Sequence, residues 1–145
     1  MKPTRFVLEI PALPVSNPSV NRHWRAKVRD RAEWALRVKA ALGRLPKLWT
    51  PIEHARVEFV RHSSREPDGD NLVAGMKLVR DLLQPDAKGN RGGVGLIKSD
   101  APGHIEATYR WEKAPPKLGR VTITVEEIDA AAAPLGSADT PQEAR

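Results

Sequence analysis

The stretch R-E-P-D-G-D-N at positions 65–71 puts Glu66, Asp68 and Asp70 within five residues, in a chain with 24 Lys+Arg against 18 Asp+Glu. Carboxylates ~5 Å apart at an effective dielectric of about 20 repel by roughly 3 kcal/mol, so the clustering calls for compensation. A helix N-terminus, a neighbouring lysine or a divalent metal ion could each supply it. Capping satisfies orphan N–H groups and suits the positive end of the helix dipole. One helix needs one cap, however, and a second carboxylate is left over. A Mg²⁺ ion takes hard oxygen ligands, usually one or two carboxylates with waters and a substrate phosphate. Asp68 and Asp70, at i and i+2 on a turn between strand and helix, are therefore candidate metal ligands.

Lys77 stands seven residues after Asp70, two helical turns on and about 10 Å along the axis. Its side chain can lean back toward the helix start. The competing reading is a surface lysine paired with Asp81 across one turn. A third acid would strengthen the site, and Asp86 and Asp100 are the candidates. Asp100 directly precedes the A-P-G turn into a strand, at the sheet edge, and is the favoured one.

The elements that must position these residues follow from periodicity. Arg5 to Ile10 alternates as a half-buried strand, and three prolines after it bar regular structure. From about Ala26 to Leu42, Val28, Ala32, Ala35, Leu36 and Ala40 recur at helical spacing, and Gly43 and Pro46 end the run. Ala55, Val57 and Phe59 mark a second strand, followed by the polar link H-S-S-R-E-P. A second helix is expected over Asn71 to Leu83, with Leu72, Val73, Met76, Val79 and Leu83 buried. Residues 84–98, with four glycines, read as an exposed loop. His104 to Trp111 and Val121 to Glu126 alternate as two further strands. The order β-α-β-α-β-β predicts a single α+β domain over 1–128, with a small mixed sheet of about four strands and two helices. Residues 129–145, without periodicity, read as a disordered tail.

Charge points to a partner. The formal net charge is +6, and residues 20–50 hold nine basic residues against Asp30 and Glu33, a local +7. Such a patch fits a polyanion, most often nucleic acid, or else a solvated helix face. Arg22, Arg25, Lys27, Arg29 and Arg31 are the candidate DNA-backbone contacts. Trp24, between two arginines, could stack on an unpaired base or anchor the helix to the core. A metal beside basic residues supplies both parts of phosphodiester hydrolysis.

Other classes fall away. With no cysteine there is neither a disulfide nor a thiolate zinc site, and His23, His54, His62 and His104 are scattered. G-N-R-G-G-V-G lacks the Lys-Ser/Thr of a phosphate-binding loop. A D-x-D sugar-nucleotide transferase would need a nucleotide-binding domain of roughly 200 residues. No apolar run suits a membrane span or signal peptide, and a cytoplasmic protein is expected.

Three stretches together resemble the RusA family of Holliday junction resolvases. P-V-S-N-P-S-V-N-R-H-W is similar to the family's P-P-S-x-N-x-x-x-R/H opening. D-G-D-N-L-V-A-G-M-K-L-V-R-D-L-L is similar to its D-x-D-N-L-x-x-x-x-K-x-x-x-D-x-L signature, and S-D-A-P-G-H-I to its D-D-x-P-x-H-V. Ser99 departs from the first acid of that last motif. The resemblance implies a RusA-like fold and a homodimeric, Mg²⁺-dependent endonuclease (Mn²⁺ an alternative) that resolves four-way junctions. It also implies Asp68, Asp70 and Asp100 as metal ligands and Lys77 as an aid at the scissile phosphate. A branched-DNA-binding protein without cleavage is the rival reading.

Overall fold

The computed structural model describes residues 4–14 and 24–129. In chain order they form β1 (Arg5–Ile10), α1 (Trp24–Leu42), β2 (Ala55–Ser63), α2 (Gly69–Leu82), β3 (Pro85–Ala87), β4 (Asn90–Val94), β5 (Ile105–Lys113) and β6 (Arg120–Glu127). The fold is a single α+β domain: a four-stranded sheet of order β1-β6-β2-β5, with β3 and β4 as a separate hairpin. β2 runs parallel to β5 and antiparallel to β6, which is antiparallel to β1. The parallel pair requires a crossover, which α2 and the hairpin provide.

Alternation divides the sheet. Leu8, Ile10, Val57, Phe59, Val121, Ile123 and Val125 are all fully buried. The residues between them build a polar outer face, where Arg56 pairs with Glu106 at 3.7 Å, Arg110 with Glu58 at 3.6 Å and Arg120 with Glu9 at 3.7 Å. One face is wet and the other carries the core, as the antiparallel pairing of β1, β6 and β2 permits.

The 84–98 segment, expected as an exposed loop, is instead the hairpin and a buried connection. Leu96 and Ile97 are fully buried, and Leu96 N–H donates to Leu83 O at 2.8 Å. Two of its glycines, Gly92 and Gly93, serve close packing. Gly92 has φ +91°, and a Cβ there would lie 2.8 Å from Ala35 Cβ on α1. Asn90 ties the hairpin down, accepting from Arg31 Nη1 at 2.9 Å and donating to Asp81 O at 2.8 Å and Pro85 O at 3.0 Å.

The inward face of α1 also differs from the expected stripe. Trp34, Ala35 and Val38 are buried, whereas Val28 and Leu36 are 60% and 69% exposed. Trp34 brings the largest apolar area and the hairpin packs at Ala35, which together rotate the helix. β2 runs on through His62 and Ser63, expected in a polar link. The sheet satisfies their polar groups: His62 Nε2 bonds Thr122 Oγ1 at 2.9 Å, and Ser63 Oγ accepts from Trp111 Nε1 at 3.0 Å. Among the described residues no helix is long and apolar enough to cross a membrane. The expected tail lies, from residue 130 onward, outside the described residues.

Candidate metal and nucleic-acid site

Asp68 is the N-cap of α2: its backbone carbonyl accepts from Leu72 N–H at 2.9 Å. Its side chain makes no capping hydrogen bond, so the carboxylate is not spent on the helix end. Asp70 lies in the first turn, and both aspartates are exposed. Rigid elements hold them, since β2 ends at Ser63 and α2 begins at Gly69. Asp68, though not Asp70, lines a cleft of about 630 Å³ together with Arg61, Ser64, Glu66 and Asn71 among others.

The remaining sequence candidates have partners of their own. Lys77 Nζ lies 3.5 Å from Asp81 Oδ2, with a side chain 65% exposed, so the one-turn ion pair is the arrangement present. Asp100 Oδ2 lies 3.0 Å from Arg80 Nε, close enough to pair as charges but not aligned as a hydrogen bond. Arg80 Nη1 donates to Tyr109 Oη at 2.9 Å. Burial works to lower the Arg80 pKa, but Tyr109, Asp100 and Asp81 outweigh it and raise the value. Ten residues of helix separate Asp70 from Arg80, about 15 Å of axis, which anchors Asp100 beside the C-terminal half of α2. Asp86 accepts from Gly92 N–H at 3.2 Å within the hairpin. Among the described residues no three Asp, Glu or His side chains gather into a metal-binding group.

Asp68 and Asp70 fit Mg²⁺ in chemistry. They are hard oxygen donors, and the Asp68 carboxylate has no capping bond to break. They do not form an all-protein cage; they suit an ion whose other positions go to water and a substrate phosphate.

The basic face is built mainly by α1. Lys27 and Arg29 are exposed, and the Arg25 guanidinium stands 5.3 Å over the Trp24 ring. Trp24, a possible core anchor, is 63% exposed, and Trp34 does the anchoring. Arg31 is committed in part to structure, bonding Asn90 and standing 4.0 Å from Asp81. Arg22 lies outside the described residues.

Two basic residues escaped the sequence reading. The hairpin sets Arg91 across from Lys27 and Arg31 around a groove of about 580 Å³, with Val28, Ala32, Ala35 and Gly92 also lining it. Arg61 lies inward on β2 and is 9% exposed. The alternation of Ala55, Val57 and Phe59, carried one step further, was the signal that could have found it. No protein-family model matches this chain, and no curated protein matches it.

Proposed function

We propose that the chain is a RusA-like, Mg²⁺-dependent endodeoxyribonuclease that resolves branched DNA, four-way junctions foremost, in recombination and repair. The observation that carries this reading is the Asp68–Asp70 pair at the start of α2, with the Asp68 carboxylate unspent on its helix. Asp68 and Asp70 would hold the ion, Mg²⁺ or Mn²⁺. When bound it supplies a lowered pKa for an attacking water and charge stabilisation at the leaving oxygen.

The chain's own residues do the rest. Lys27, Arg29 and Arg91, exposed around α1 and the hairpin, neutralise backbone phosphates and read shape rather than bases. Arg31 fixes the hairpin to α1 while facing the same groove. Lys77 would serve a phosphate by exchanging its Asp81 partner for it. The part of Asp100 as a third ligand rests on the resemblance alone, since in this structure it pairs with Arg80. A junction needs two symmetric cuts, and a two-fold homodimer supplies two sites.

The second reading, a branched-DNA-binding protein without cleavage, is favoured by the Lys77–Asp81 and Arg80–Asp100 pairs and by the lack of a three-acid group among the described residues. Incubating the protein with a labelled four-way junction and a linear duplex, with and without Mg²⁺, separates the two. Paired symmetric nicks in the junction alone, dependent on Mg²⁺, are expected. Tight junction binding without nicks in Mg²⁺ or Mn²⁺ would leave the binding protein.

A further inference from the structure

Arg61 follows Val57 and Phe59 on the core-facing side of β2, both fully buried, and is itself 9% exposed. Its Nη1 donates to the Pro14 carbonyl at 3.1 Å. Its Nε has no hydrogen-bond partner, and no carboxylate among the described residues pairs with it. Burial pushes its pKa below the ordinary value, yet an arginine does not give up its proton in a protein. A guanidinium taken out of water without a counter-charge is costly, and an anion in reach would offset that cost.

The place for such an anion is the cleft that Arg61 lines together with Ser64, Arg65, Asp68 and Asn71. The start of α2 borders it, through Asp68 and Asn71. That helix has 14 residues, and its N-cap side chain makes no hydrogen bond to the first-turn N–H groups. Helix N-termini favour anions through those N–H groups and the dipole. Glu66 also lines the cleft, so the anion that fits is one able to share the Arg61 guanidinium with a carboxylate. A phosphate can do this, and the planar guanidinium fork matches its oxygens.

We propose that Arg61 is a phosphate-binding residue, holding a backbone phosphate of the DNA substrate between the end of β2 and the start of α2, beside Asp68. The identity of the phosphate rests on the endonuclease reading; the site itself rests on the uncompensated guanidinium.

The test measures affinity for a labelled four-way junction in EDTA over a NaCl series, for the wild type and Arg61→Gln. Loss of one phosphate contact predicts roughly tenfold weaker binding and a salt slope shallower by about one. In a second arm, Tm is followed in sodium phosphate against NaCl of equal ionic strength, with and without Mg²⁺. Phosphate should raise the wild-type Tm and leave Arg61→Gln unmoved, which also separates free phosphate from polymer as the anion. A folded Arg61→Gln protein with wild-type affinity and slope would overturn the proposal. If that variant does not fold, the wild type decides: a phosphate-specific Tm rise supports the site and its absence overturns it. Arg61-dependent binding without cleavage in Mg²⁺ would sink the endonuclease reading and leave the phosphate site standing.

Discussion

Replacing Gly92 by alanine should loosen the hairpin from α1, with a cost that can be worked from two separate terms. Its φ of +91° is one that L-residues rarely adopt, and the added Cβ would stand 2.8 Å from Ala35 Cβ. The left-handed backbone costs about 1–2 kcal/mol for a residue with a Cβ. Forcing one more carbon against a packed helix costs about 1–3 kcal/mol, so Gly92→Ala should lose about 2–5 kcal/mol. Urea unfolding reads this as a lower midpoint at unchanged m-value. A double-mutant cycle divides the terms. Ala35→Gly costs about 1 kcal/mol in helix propensity but removes the obstructing methyl. In that background Gly92→Ala should cost only the backbone term, about 1–2 kcal/mol, leaving a coupling of about 1–3 kcal/mol. Equal costs in both backgrounds, or a Gly92→Ala loss below about 0.5 kcal/mol, would refute the close approach of hairpin and helix.

Three further outcomes are expected. Asn90→Ala removes the side-chain bonds to Arg31, Asp81 O and Pro85 O and should cost about 1–3 kcal/mol in urea unfolding; an unchanged midpoint would show that the hairpin does not depend on it. Lys77→Met breaks an exposed ion pair and should move stability by less than about 0.5 kcal/mol, so any larger loss of junction cleavage would report its contact with the substrate. Glu112 has its pKa lowered chiefly by a hydrogen bond from Arg110. Its stabilisation is therefore complete above the unfolded value of about 4.3 and lost as pH falls through the lower folded value. Thermal melts from neutral to acid pH should show the wild-type advantage over Glu112→Gln vanish in that window; a pH-independent gap would contradict the assignment.

Where one kind of periodicity held, the sequence read directly into structure. β1 runs from Arg5 to Ile10 as the alternation predicts, and α2 and the last two strands differ from expectation by one or two residues at their ends, although Val73, expected in the buried stripe of α2, is 42% exposed. The glycine-rich hairpin was not legible, because glycine marks both open loops and close approaches, and only the position of Ala35 distinguishes them. The inward face of α1 was misread because Val28 and Leu36 carry the right spacing, while the choice of face was made by Trp34 and the packed hairpin. At the site, the local pair Asp68 and Asp70 could be placed at a strand end and helix start from sequence. The Arg80–Asp100 pair could not, since it joins α2 to a turn that only the tertiary fold brings near.

The claim on which the chemistry stands is that Asp68 and Asp70 hold a divalent ion. Mn²⁺ titration followed by electron paramagnetic resonance tests it on the wild type, Asp68→Asn and Asp70→Asn. One Mn²⁺ site per wild-type chain is expected, competed by Mg²⁺ and lost or strongly weakened in either variant. Mn²⁺ binding that is absent from the wild type, or unchanged when either aspartate is replaced, would contradict it.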